Sequence, residues 1–306
     1  MSALILRVSC VFVLCSLAFS GDLKIVTRLQ SKSGAYSPPP STFTRYFQGS
    51  RSRSESRSSA GYAAHPGDAP VYTWGPRQAM IQQCDARRSL MLNLDAREYT
   101  STELDERGVP KGYKAPVIPQ THSAQGSVEI FIDAIGTGER KEMFGYTARH
   151  VITRERRVVS PGNCQHNMSS ETDGWYIDLD VPSLSCAAVP RKATTVGLAL
   201  AATSFCSNQR LEVHRTGVSE TGFPVSLATT THTSVPQADG STKEYTNSST
   251  SEVVELSEAP LDPALFEVPP GFKLVARINT QPPVPTMIAI QMWLERVKHA
   301  IRSRLG

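Results

Sequence analysis

The sequence predicts an α+β protein that is mainly antiparallel β, a curved and incompletely closed sheet with a helix at its C-terminus. Three observations lead there. Apolar and polar residues alternate with a period of two through many short segments. Gly, Pro, Asn and Ser clusters punctuate those segments. Helical periodicity over any length sets in only beyond Pro282, Pro283 and Pro285. A long run of strands with few helices argues against a parallel α/β enzyme.

Residues 1–20 stand apart from the fold. Arg7 precedes an apolar run, Val8 to Phe19, and Ala18-Phe19-Ser20 places small residues ahead of Gly21. This is the layout of a secretory signal peptide cleaved near Ser20/Gly21. The run is shorter than the roughly 20 residues a bilayer span needs. An uncleaved anchor and a lipid-modified Cys15 are the rival readings, though Leu14 sits where lipidation wants a small residue.

The remaining chain divides into a β domain, 21–275, and a tail, 276–306, made of a Pro-rich linker and an amphipathic helix. Leu23 to Arg28 reads as the first strand, followed by a Pro-rich stretch to Pro40. Ser41 to Arg57 alternates, with Phe43, Arg45 and Phe47 on one side. Ser58 to Gly75 reads as a loop. Met80 to Asp85 and Ser89 to Tyr99 read as two strands, the second with Leu90, Leu92 and Leu94 on one face. Glu103 to Gln125 is a connector. Val128, Ile130 and Ile132 share a face, and Gly136-Thr-Gly138 reads as the turn into a strand over Lys141 to Val159. Ser160 to Ser170 reads as a polar loop, and Trp175, Ile177 and Leu179 mark a strand closed by Pro182. Thr194 to Ser204 reads equally as a buried strand or a short helix. Arg210 to Arg215, Phe223 to His232 and Ser251 to Leu256 complete the strands, with Gln237 to Ser249 as an exposed loop. Pro263 to Phe266 is one helical turn. Thr286 to Leu305 is helical, with Ile288, Met292, Leu294, Val297 and Ile301 forming an apolar stripe. Its basic residues, Arg296, Lys298, Arg302 and Arg304, would suit an anionic membrane surface.

Net charge is +4, with acids and bases interspersed. No aromatic–basic interleaving suggests a nucleic-acid partner. After loss of Cys10 and Cys15, Cys84, Cys164, Cys186 and Cys206 remain, an even number that favours disulfides in an exported chain. Cys164–Cys186, flanking a short hairpin-like stretch, is the preferred pair, which leaves Cys84–Cys206. A zinc site is the competing reading, but Cys164-Gln-His166 lacks paired C-x-x-C spacing.

The chain contains no G-x-S-x-G, H-E-x-x-H, P-loop or G-x-G-x-x-G motif. His150 and His214 fall within strands, where packed histidines are the ordinary outcome. Asp173, Asp178 and Asp180 cluster around Trp175 as a solvated face or a cation site. An enzyme reading requires His150, Asp178 and His214 to converge. No cofactor is expected. The alternative set is apolar: Phe43, Phe47, Leu90, Leu92, Leu94, Val128, Ile130, Ile132, Tyr146, Trp175 and Phe266. These residues would face the concave side of a curved sheet, either as a core or as the lining of a ligand cavity.

Several segments carry a resemblance. Ser41-Thr-Phe-Thr-Arg-Tyr-Phe-Gln-Gly-Ser-Arg51-Ser-Arg53-Ser-Glu55 resembles the G-x-R-x-R-x-E strand pair of a bacterial exported family of unknown function, related to the periplasmic lipoprotein carriers with the LolA-like fold. Gln83-Cys-Asp85-Ala-Arg-Arg and Leu92-Asn-Leu-Asp-Ala-Arg-Glu-Tyr99 are similar to that family's next strands. Gly145 to His150 and Asp173 to Asp178 fit as well, and Phe266-Glu-Val-Pro269-Pro-Gly271-Phe272 resembles its closing F-x-V-P-x-G-[YF] signature. The resemblance covers most of residues 23–275, but neither the C-terminal helix nor the Cys164–Cys206 region. It implies a half-open β-barrel covered by helices, with an apolar cavity for acyl chains and no catalytic residue. Relatives with that fold ferry lipoproteins, bind lipids or sense envelope damage. Ser50, Ser52 and Ser54 nevertheless make one strand face more hydrophilic than such a cavity requires. The expectation is an exported, non-enzymatic envelope protein, periplasmic or secreted, that binds a lipid or lipoprotein on a curved sheet. The alternatives are a sensing or interaction module that touches a membrane through residues 286–305, and an unrecognised hydrolase or metal enzyme.

Overall fold

The computed structural model describes residues 21–34, 36–63, 70–113, 123–160, 165–186, 207–218, 222–237, 239–291, 293, 294 and 297. The alternation read along the chain becomes one open sheet of 13 strands. They are β1 (Leu23–Ser33), β2 (Ser41–Gln48), β3 (Arg51–Tyr62), β4 (Val71–Gln83), β5 (Arg88–Asn93), β6 (Glu98–Glu103) and β7 (Ser123–Met143). There follow β8 (Tyr146–Val159), β9 (Asn167–Ile177), β10 (Ser207–Gly217), β11 (Phe223–Pro236), β12 (Thr242–Ser257) and β13 (Lys273–Leu274). Their spatial order is β10-β7-β8-β9-β11-β12-β1-β2-β3-β4-β5-β6-β13. All neighbours are antiparallel except β10–β7 and β13–β6.

Strands run longer than the sequence suggests. The loop expected over Ser58 to Gly75 is largely strand, the ends of β3 and β4. Ser89 to Tyr99 splits into β5 and β6, and Gln237 to Ser249 falls mostly in β12. The turn expected at Gly136–Gly138 is a register shift inside β7; the hairpin closes at Phe144-Gly145, both at positive φ, 55° and 80°. Two such residues between paired Met143 and Tyr146 match the twist that hairpin strands require. The sequence pattern could not separate bulge from turn, because glycine serves both.

The first and last long strands meet in the middle of the sheet. β1 pairs with β12 over most of its length, with a bulge at Val26/Thr27, and Lys24–Glu255 and Arg28–Glu252 ion pairs lie across the seam. This pairing makes one sheet of the β7–β12 half and the β1–β6 half.

An open sheet has two faces to cover, and helices do not cover them among the described residues. Among the described residues the cover is extended chain together with the 3-10 turn Pro263–Phe266. On one face of the sheet, residues 178–186 cross as a strap from β9 towards β4: Leu179, Val181 and Leu184 pack against a core of Leu23, Ile25, Phe47, Ala148, Ile177, Phe223, Val225 and Val253. The buried Ser52 hydroxyl donates to the Leu184 carbonyl at 3.3 Å. Leu179 therefore belongs to the strap and not to β9. The strap leaves β9 and reaches β4, six strand steps away, roughly 29 Å at the usual spacing. Its nine residues span about 30 Å when extended. Its far end is fastened by a Cys84–Cys186 disulfide. This pairing overturns both expected bridges, Cys164–Cys186 and Cys84–Cys206. Proximity in sequence favoured the first, whereas the strap brings Cys186 to a turn 102 residues upstream. Cys164, Cys206, the Thr194–Ser204 segment and the predicted signal lie outside the described residues.

On the opposite face of β4–β5, Ala79, Ile81, Leu90, Leu92 and Phe266 form a second core, with Leu261, Leu265, Val268 and Phe272 over it. Asp262 caps the 3-10 turn Pro263–Phe266, its side chain accepting from the Ala264 amide. Polar groups bind this cover to the sheet. Gln83, fully buried, donates to the Phe266 carbonyl at 2.7 Å and to Glu267 at 3.0 Å. The buried Arg53 guanidinium is satisfied by Glu55 and by the Leu265 carbonyl. Arg51 reaches Asp85 on one side and Glu267 on the other. The residues that carry the family resemblance thus work as a clamp.

Breaking the bridge with Cys84→Ser or Cys186→Ser should lower the unfolding free energy by about 2–5 kcal/mol in urea titrations; a non-reducing peptide map without a Cys84–Cys186 linked pair would contradict the strap. The clamp predicts an acid response. Hydrogen bonds from Arg51 hold the Asp85 carboxyl below the ordinary aspartate value of 3.8. A lowered folded pKa adds stability above the unfolded pKa and loses it as acid titrates the folded form. Wild type should therefore be more stable than Asp85→Asn at pH 7, with the gap closing as pH falls below 3.8. A gap that persists in acid would remove the Arg51–Asp85 pair from the account.

Candidate functional site

Register decides which side chains can share a cavity, and it separates the expected set. Phe47 pairs with Ser52, Ser52 with Gln82, and Gln82 with Ser89. Directly opposed residues share a face. Phe43 and Phe47 therefore lie with Ser52, Ser54 and Ser89, and not with Leu90. Leu90, Leu92 and Phe266 are completely buried in the opposite core, which Leu94 also joins. Val128, Ile130 and Ile132 form a third cluster with Val159 and Leu211. Tyr146 and Trp175 pack with the strap core beside Phe47. The eleven expected residues therefore do not all share one side of the sheet: ten of them fall in three separate clusters. A period of two names the residues of a face, but the pairing of strands decides which faces coincide.

A hollow of about 440 Å³ opens on the Phe43 side of β2. Its floor is two rows that run across the strands: Ser41–Leu29–Ser251–Leu227 and Ser31–Ser249–Thr229. Tyr36, Pro38 and Pro39 wall it from the β1–β2 connection, and Ser59 from β3. Ser59 and Thr229 belong to strands four steps apart, roughly 19 Å in a flat sheet. Their sharing one hollow means that the sheet curves around it. The lining alternates hydroxyls with Leu29, Leu227, Tyr36 and two prolines, so it suits a ligand that is apolar and polar in turn. A purely aliphatic lining is not present.

Beyond the floor on the same face, Thr27 Oγ1 and Arg45 Nε are among the buried side-chain atoms that have no hydrogen-bond partner among the described residues. Thr27, 6% exposed and paired in register with Phe43, has an unsatisfied Oγ1. Arg45 lies over the rings of Phe43 and Phe223, at 5.9 and 5.2 Å, and its Nε makes no hydrogen bond. Burial holds its guanidinium below the usual range. Buried groups are nearly always paired, so such orphans mark a place where a further group would be accommodated. The sequence signal was Arg45 itself, a charge standing between Phe43 and Phe47 in an otherwise apolar alternation.

The residues of the enzyme reading do not converge. His150 is held by Thr137 and Asp173 and stacks on Trp175 at 4.7 Å. His214 stacks on Phe131, which pairs across β7–β8 with Arg156. Arg156 is six residues along β8 from His150, roughly 20 Å. Asp178 pairs with Arg149 at 2.6 Å and is largely exposed. Among the described residues no three metal-ligating side chains gather at one point.

No protein-family model matches the chain, and no curated protein sequence matches it. Among solved structures it is similar to a LolA superfamily protein from Nitrosomonas europaea, at 8% sequence identity and a TM-score of 0.24, over 81% of this chain and 90% of that one.

Proposed function

We propose that the chain is an exported, non-enzymatic envelope protein that binds a lipid or lipid-modified partner on the curved face of its sheet. The observation that carries this reading is the hollow between β11 and β3, with its mixed lining and, beyond its floor, the Arg45 Nε and Thr27 Oγ1 that have no hydrogen-bond partner among the described residues. Its volume falls within the range of small-ligand sites. Apolar side chains would take part of an acyl chain, and the hydroxyls and guanidinium would take a polar or acidic head. The Cys84–Cys186 bridge supports an oxidising compartment, periplasmic or extracellular. The separation of His150 from His214 supports binding over catalysis.

Native mass spectrometry of protein purified from the envelope should show a bound lipid, and the pure protein should take up a fluorescent fatty acid. Leu29→Glu should weaken that uptake about tenfold or more by placing a carboxylate in the hollow. Leu29 is 40% exposed, so the fold should survive the change. Equal uptake by wild type and Leu29→Glu, or no lipid in either assay, would refute the reading.

A second reading rests on the tail. Residues 286–291 are helical, as are 293, 294 and 297. Ile288 is buried, while Met287, Ile290, Trp293 and Leu294 are 73%, 50%, 61% and 44% exposed. No helix among the described residues is long and apolar enough to cross a membrane. With Arg296, Lys298, Arg302 and Arg304 following, this tail has the composition of a surface-lying helix. The full chain should sediment with vesicles containing anionic lipid and show a blue-shifted tryptophan emission. A chain ending at Pro285 should do neither, and equal sedimentation of the two would refute membrane contact.

A further inference from the structure

The other side of the sheet carries a second, chemically different hollow. Its volume is about 740 Å³, and it lies over β10, β7, β8, β9 and β11. On β11 it is lined by Thr230 and His232, which alternate with the Thr229 of the first hollow, so the two open on opposite faces.

Register orders its floor into two rows. The first runs His214–Phe131–Arg156–Ser169–His232, one residue from each strand. The second runs Thr216–Asp133–Arg154–Glu171–Thr230. In the second row Thr216 donates to Asp133 at 2.8 Å, and Arg154 pairs with Glu171 at 2.8 Å. Glu155, also at the cleft, lies 3.6 Å from Arg157.

The first row has no acid. Phe131 is flanked from β10 by His214, stacked at 4.9 Å, and from β8 by the Arg156 guanidinium, 4.3 Å from the ring centroid. His214 has Glu212 at 3.9 Å, outside the row, and His232 meets the Thr246 hydroxyl. Arg156 has no carboxylate partner among the described residues. A guanidinium laid on an aromatic ring keeps its edge donors free for a planar anion. The cleft therefore offers, at Arg156, an exposed, oriented positive charge beside the Phe131 ring and the apolar stems of neighbouring side chains.

We infer that this cleft is a binding site for a small amphipathic anion, a carboxylate, sulfonate or phosphate carried on an aromatic or apolar body. The anionic group would meet Arg156, with the imidazoles of His214 and His232 at either end of the row, and the body would lie on Phe131 and the stems of the flanking side chains. The site is separate from the proposed lipid-binding hollow, and one can fail without the other.

The test uses 8-anilinonaphthalene-1-sulfonate as the probe, titrated into the full chain and followed by fluorescence. Arg156→Gln should weaken binding by about tenfold or more. Arg107→Gln, which removes the same charge from an exposed turn, should leave it unchanged. The imidazole proton resonances of wild-type His214 and His232 should shift on saturation, a reading that needs no variant. Leu29→Glu should not alter this binding. Equal affinity of wild type and Arg156→Gln, or imidazole resonances that do not move, would overturn the assignment.

Discussion

Gln83, Cys84 and Asp85 are three consecutive residues at the end of β4, and both faces of the sheet are fastened through them. Gln83 holds the cover over the Leu90 core by donating to Phe266 and Glu267. Cys84 holds the strap over the other face through Cys186. Asp85 anchors Arg51, which returns to Glu267. A sheet this wide cannot bury its apolar side chains by itself, and its covers among the described residues are irregular segments, one of them with a single 3-10 turn. Such segments keep their place only where something ties them, because each would otherwise regain about 1–2 kcal/mol of backbone entropy per residue. One turn supplies the ties for both.

This arrangement changes the meaning of the motif that carried the resemblance. Read along the chain, Arg51, Arg53 and Glu55 share one charged strand face. In the fold, Arg53 is buried and answered by Glu55 and the Leu265 carbonyl, and Arg51 bridges two acids. Their charge is spent on holding Pro263–Phe266 against the sheet. The charges that are not answered in this way are elsewhere: among the described residues Arg45 has no hydrogen-bond partner at Nε, and Arg156 has no acid beside it.

The two hollows follow from the same topology. Pairing of β1 with β12 joins the halves and curves the sheet, which brings β3 and β11 around one cavity. The parallel addition of β10 to β7 extends the sheet on its far side and completes a five-strand floor for the other. Neither contact joins neighbours in the chain. The alternation of Phe43, Arg45 and Phe47 was legible as a face. That Ser41 on the same strand would share a hollow with Ser251 and Leu227 was not, since this depends on pairings between strands about 200 residues apart.

What the sequence by itself determined is local: the β character, the faces of single strands, the helical turn at Pro263–Phe266 and the helical start of the tail. Each depends on residues within a few positions of one another, where side-chain alternation and capping act directly. The tertiary structure alone decided which faces meet, which cysteines join, and that the Leu90, Phe47 and Ile130 sets occupy separate clusters. Those outcomes depend on register and on long-range closure, and shifting a pairing by one residue exchanges every inward side chain for an outward one.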